Sequence, residues 1–259
     1  MIRVHCIALA VVIASGSTVA LGDATVKFTG SEASHSTMYI KDGLVRMAPS
    51  DQSASFSVFD SRANTVTHVN ADREAYVVVD EAAIRERAER MQQAMEQMRQ
   101  RMQDMPQQGQ APQGGTPSEP PPAPSVRKAG RSETVAGVRC RVYETYQGDN
   151  KVGEICVASD LGLSKADGRA LSAMKAHMRQ MADQMRNMMS SMPGAAAQPA
   201  DPMDEVEGIP VKVAVIDPQT GNLKPMMELT AVETAALSKE LFQIPAGYER
   251  MDPNTAPQR

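Results

Sequence analysis

An α+β fold is what the sequence predicts: a curved antiparallel β-sheet, half-barrel-like, with two long Met-rich amphipathic helices and Pro/Gln-rich linkers. Three observations carry this expectation. Short apolar and polar residues alternate between turn signals over residues 25–79 and again after residue 125. Two stretches instead repeat at steps of four and three, the spacing of one helical face. Their faces are largely methionine, of which the chain has 19.

The first residues address compartment. Arg3 precedes the apolar run Cys6 to Ala14, and small residues follow through Gly22, the layout of a secretory signal peptide over 1–22. Cleavage is expected after Gly22, with Ala20 at the minus-three position, or after Ala24. Cys6 lies inside the apolar run and not behind a small-residue cleavage box, which argues against a lipid anchor. The mature chain is expected to be periplasmic with no transmembrane segment. A formal net charge of -4 gives no basic footprint for nucleic acid. With no tryptophan and 3% aromatic residues, the core must come from aliphatic side chains and methionine. Much of the length is linker, so a single domain over 23–252 is expected, with a disordered tail over 253–259.

Val26 and Phe28 begin the strands. Thr37 to Lys41 and Leu44 to Met47 then flank Asp42-Gly43, a hairpin signal, and Ser55 to Phe59, Thr65 to Val69 and Ala75 to Val79 continue the meander. Asp80 caps a first helical arm over 80–105, whose stripe is Ile84, Ala88, Met91, Met95, Met98, Met102 and Met105. Residues 106–125, rich in Pro, Gln and Gly, form a linker too polar to fold alone. Strands resume over Val126 to Val135. Ser164 and Asp167 open a second arm over 164–192, with the stripe Leu171, Met174, Met178, Met181, Met185, Met188 and Met192. A straight helix from Lys165 to Met192 would reach ~42 Å. The linker 193–207 could just retrace that distance, so the helix is expected to lie back across the sheet. Ile209 to Asp217 and Leu223 to Thr234 form a last hairpin, and Leu241 to Met251 closes the domain.

Loss of Cys6 with the signal leaves Cys140 and Cys156, an even pair suited to a disulfide in an oxidising compartment. They fall near mirror positions on a hairpin, Val138 to Tyr146 and Lys151 to Ala158, around Gln147-Gly148-Asp149-Asn150. Paired strands bring alpha carbons within about 5.5 Å, inside disulfide range.

The segments Met38-Tyr39-Ile40-Lys41, Asp72 to Asp80, Ala136-Gly137-Val138-Arg139-Cys140, Gly208-Ile209-Pro210-Val211 and Phe242 to Tyr248 resemble an exported bacterial family known as a domain of unknown function. That family is in turn similar to half-barrel periplasmic lipoprotein carriers, which implies a bent sheet closed over an apolar cavity by helices. The resemblance supplies no active-site residues.

The methionine stripes admit three readings. They can be core or a helix–helix seam. They can be an adaptable groove, since an unbranched, polarisable side chain re-packs around variable partners. They can also be a soft-metal surface, for which Met174, His177, Met178 and Met181 share one helical face. The expected ligand-binding residues are Met91, Met95, Met98, Met102, Met174, Met178, Met181, Met185 and Met188, covering the concave face of the sheet. No residue is assigned to a metal, a cofactor or catalysis. His68 in a strand fits a cross-strand pair, and no nucleophile elbow, phosphate loop or His-Glu-x-x-His occurs. The expected function is non-catalytic binding of a lipid, an acyl chain or an apolar protein segment. The alternative is a structural protein whose helices form a constitutive coiled coil.

Overall fold

A computed structural model describes residues 23–30, 35–49, 54–104, 124–190 and 206–253. The signal segment 1–22, most of both linkers, Met105, Met192 and the end of the tail lie outside the described residues. The chain builds two meanders. The first comprises β1 (Ala24–Gly30), β2 (His35–Lys41), β3 (Leu44–Ala48), β4 (Phe56–Asp60), β5 (Thr65–Asn70) and β6 (Ala75–Val79). Helix α1 (Glu81–Asp104) follows, then β7 (Pro124–Val135), β8 (Val138–Gln147) and β9 (Asn150–Ala158). Helix α2 (Lys165–Ser190), β10 (Ile209–Ile216), β11 (Leu223–Thr234) and β12 (Glu249–Met251) complete the order.

Local chemistry sets the tight turns. Asp42 and Gly43 both take positive φ, as do Ala136 and Gly137 between β7 and β8, the backbone that a two-residue hairpin requires. Gly208 leads into β10 at φ +119, where an added Cβ would stand 2.5 Å from the carbonyl oxygen of Ala158. That position has no room for a side chain.

The meanders join where β1 pairs with β11, so that the strands form one sheet in the order β12-β6-β5-β4-β3-β2-β1-β11-β10-β9-β8-β7. A bulge at Lys27 and Phe28 bends this joint, and Lys27 reaches Glu233 across it at 3.2 Å. The expected fold class is corrected here. The sheet is mixed, because β12 runs parallel to β6, and strand dominates the described residues over the two helices. The parallel pair arises because the chain leaves β11 and crosses the face of the first meander before it pairs again. Leu237, Leu241, Phe242 and Tyr248 of this crossing pack on Ala48, Phe56, Val58 and Val69. Arg46 is buried beneath them, its guanidinium 4.2 Å from the Phe56 ring and 5.3 Å from that of Tyr39.

Strand alternation divides the residues between the two faces. Val45 and Phe59 turn to the main core with Val26, Ile40, Val211 and Leu229, while their neighbours Arg46 and Val58 face the crossing segment. The main core on this face is therefore built mostly by strand side chains, joined by Leu161 and by Ala170, Leu171 and Met174 of α2. Cys140 and Cys156 belong to the same core and are bonded, with alpha carbons 5.4 Å apart. Val142 lies opposite Cys156 in the register, so the bridge runs diagonally across the hairpin.

Closing a loop of this length stabilises the fold by about 3 kcal/mol in the chain-entropy model. Reduction, or replacement of both Cys140 and Cys156 by Ala, should lower the urea midpoint accordingly. An unchanged midpoint after complete thiol reduction contradicts a stabilising bridge.

Candidate functional site

Helix α2 is the element whose surface the sheet leaves unfinished. Its start is fixed by Ser164 as N-cap: Asp167 N–H donates to Ser164 Oγ at 3.1 Å, and the Ser164 hydroxyl donates to Asp167 Oδ2 at 2.6 Å. Ala170, Leu171 and Met174 then enter the main core, with Met174 9% exposed. Lys175 Nζ donates to the carbonyls of Val206 at 2.8 Å and Gly208 at 3.3 Å, fastening the helix to the approach of β10. His177 is buried, lies 5.4 Å from the Phe59 ring between centroids, and bonds Asn64 in the β4–β5 turn through Nδ1 at 3.1 Å. Residues 170 to 177 are thus held on three sides.

Beyond His177 the apolar stripe continues on the same helical face, but the sheet beneath it does not. Met178 is 57%, Met181 37% and Met185 60% exposed. Helix α1 meets this stretch with its first turn. Asp80 Oδ1 accepts from Ala83 N–H at 2.7 Å, and Glu81 and Ile84 face His177, Gln180 and Met181 across a gap with no room for a water molecule. Further along, the charges of α1 form exposed pairs, Glu81 with Arg85 at 3.1 Å and Glu86 with Arg90 at 3.0 Å. Its Met91 is 41% exposed.

Of the expected ligand-binding residues, Met174 is core and Met91, Met178, Met181 and Met185 are exposed. Met95, Met98, Met102 and Met188 sit on helical backbone, and their side chains lie outside the described residues. Among the described side chains, Met174 is the stripe methionine that reaches the main core, where it joins Ala170 and Leu171 of its own helix against strand residues. Asn64, which orients His177, went unnoticed in the sequence. Its positive φ of 53° lies in a turn with no helical or strand pattern to mark it. His68 is indeed cross-strand paired, Nδ1 standing 2.8 Å from Ser57 Oγ.

A second opening, of about 80 Å³, is lined by Glu133, Val142, Glu154, Cys156, Lys212 and Leu223 among others. Its rim is an ionic ladder: Lys212 to Glu133, Arg131 to Glu133 and Glu154, and Lys151 to Glu154 and Glu144 at 2.6 Å each. Every carboxylate there has a cationic partner, so the opening presents no free charge to a ligand. Among the described residues no group of three or more His, Cys, Asp or Glu side chains is placed to hold a metal, and no helix is long and apolar enough to cross a membrane.

Residues 118–248, just over half of the chain, match a family described as a domain of unknown function, DUF4412. The chain belongs to that family. The DUF4412 match runs through β7 to β11, α2 and the crossing segment, so it includes the anchored and the overhanging parts of α2. No curated protein matches. Among solved structures the chain is similar to MucB in complex with MucA(peri), at 15% identity and a TM-score of 0.34, over 87% of this chain and 55% of that one. It is also similar to the MucA/MucB complex of Pseudomonas aeruginosa, at 15% identity and a TM-score of 0.33, over 86% and 55%. The chain spans about half the length of these proteins, and likeness at this level says nothing of activity.

The ladder sets an acid limit. Hydrogen bonds from Lys151 and Tyr146 hold the Glu144 carboxyl below its ordinary value. A depressed folded value means the pairing stabilises the fold above the unfolded carboxylate pKa and is lost as pH falls through the lower folded one. Urea midpoints measured from pH 6 down to pH 3 should fall less steeply for Glu144→Gln than for wild type. Parallel curves contradict the assignment.

Proposed function

We propose that this DUF4412-family chain is an exported, non-catalytic binding protein that takes an apolar segment of a partner protein along the methionine face of α2. One observation carries the reading. A single stripe serves as core through Met174 and then runs on, largely exposed, at Met178, Met181 and Met185. The sheet needs the first part; in the second, Met181 lines a gap beside Ile84, while Met178 and Met185 are more than half exposed. Methionine suits such a surface because it adapts to an occupant without a fixed interlock. A helix laid along i, i+3 and i+7 anchors is an established recognition mode.

The nature of the occupant follows from size and charge. Small-molecule sites enclose roughly 300–1,000 Å³. The two openings described here are far smaller, one of about 80 Å³ and one without space for water. An acyl chain in the hollow would have to displace strand side chains, so a lipid carrier fits this fold poorly. On helix α2 Arg186 pairs with Asp183 at 3.0 Å and Lys175 is bonded to the Val206 and Gly208 carbonyls, so Lys165, Arg169 and Arg179 against Asp167 make the positive excess that favours an acidic amphipathic segment. The disulfide and the Arg3-to-Gly22 pattern support export to an oxidising compartment. The competing reading is a permanent seam between the two arms, favoured by the contact of Ile84 with the Met181 region.

A photo-crosslinking residue placed at Met185 in cells, with Ala176 on the far side of the helix as control, separates these readings. The proposal expects a protein adduct at position 185, none at 176, whose captured peptide is apolar and acidic. The adduct should be lost when Met178 and Met181 are changed to Gln, while stability shifts by no more than ~0.5 kcal/mol because both side chains are exposed. A lipid adduct, or one to the protein's own α1, contradicts it.

A further inference from the structure

The outer face of the first meander, opposite α2, buries a charge that the fold leaves unanswered. Arg46 is 8% exposed and lies beneath the crossing segment, its guanidinium 4.2 Å from the Phe56 ring and 5.3 Å from that of Tyr39. These cation–π contacts cover the flat sides of the group but satisfy none of its N–H donors. Its Nε is enclosed without a hydrogen-bond partner, and among the described residues no carboxylate pairs with it. Burial lowers its pKa, and the influence that opposes this comes from Tyr39 and from no acid. Lys41, two positions beyond Tyr39 on the same strand, shows the ordinary arrangement, since its half-buried ammonium pairs with Asp23 at 2.5 Å. An unpaired cation removed from water is a standing cost that an oxyanion would relieve.

The way in is set by the shape of the group. A guanidinium is a planar fork that meets a carboxylate edge to edge through two parallel N–H bonds. Nε of Arg46 is enclosed and neither Nη is, so the outer edge of the fork reaches the surface. Tyr39, Leu237, Leu241 and Tyr248 of the same cluster are half-buried and present apolar surface at its rim. One fork matches a planar monoanion; a phosphate brings more oxygens and more charge than one guanidinium satisfies. We propose that Arg46 anchors a binding site for a carboxylate carried on an apolar or aromatic body, at the border of the crossing segment and the first meander. The site lies on the face away from the methionines of α2 and does not depend on the docking reading above.

Calorimetric and NMR titration of the full mature chain with benzoate, against the neutral and equally shaped benzamide, tests this. Benzoate should bind saturably and shift the Arg46 Nε–H resonance, identified by its loss in Arg46→Lys; benzamide should do neither. Arg46→Lys, which keeps the charge but loses the fork, should weaken binding at least tenfold, and Arg46→Met should abolish it. Arg46→Met should also hold or raise the urea midpoint, because it removes an unpaired buried charge and keeps the apolar stem. A peptide ending in a leucine carboxylate, titrated beside benzoate, separates a chain end from a small acid, the tighter binder naming the source. No saturable benzoate binding, binding undiminished in Arg46→Met, or inorganic phosphate bound more tightly than either carboxylate overturns the proposal. A lower urea midpoint in Arg46→Met would assign the residue to packing and count against the site.

Discussion

The docking of residues 170 to 177 of α2 onto the sheet is the contact on which the rest of the structure depends. Burying Leu171 and Met174 contributes roughly 1.5–3 kcal/mol apiece. The Ser164–Asp167 pair, the two bonds from Lys175 and the His177–Asn64 pair hold this part of the helix to the sheet, and further along Gln184 and Arg186 are still half-buried. Helix α2 extends for about 39 Å at 1.5 Å per residue, and its seat on the main core takes up a short part near its start. The overhang is a consequence of a long stripe meeting a short floor.

That floor is itself a composite. Neither meander is closed alone: the first gains an edge partner when β11 arrives beside β1, and its outer face is covered when the chain crosses back over Phe56 and Val58. Asp23 shows how closely these returns are coupled. Its carboxylate pairs with Lys41 at 2.5 Å and accepts from Leu237 N–H at 2.7 Å, while its carbonyl accepts from Ala235 N–H at 3.0 Å. One residue at the start of the first meander thus holds the exit of the second. The site on α2 inherits its position from both halves, because the helix seats on β2 and β3 of one and is tied by Lys175 to the approach of β10 in the other.

What was legible in the sequence was local. Asp42-Gly43 acts over neighbouring letters, and the cysteine pair, 16 positions apart, falls within a single hairpin. The pairing of β1 with β11 and the parallel return of β12 join residues far apart in the chain, and no adjacent motif marks them. The methionine stripes were visible as stripes. Whether Met174 and Met185 are buried was not, because periodicity reports which face a residue occupies and not how far the neighbouring sheet extends. His177 looked like one scattered histidine until Asn64, from a turn 113 positions away, supplied its partner.

The picture that results is a sheet protein stapled by a disulfide, with one helix rooted in its core and with Met178, Met181 and Met185 exposed further along it. Hydrogen exchange on the backbone of α2 tests that picture most directly. Amides of Leu171 to Met178 should exchange slowly, near the rate set by global unfolding, and protection should drop sharply from Met181 onward in the isolated chain. Uniform strong protection through Met185 would mean that the stripe is already covered within the molecule, and the account would be wrong.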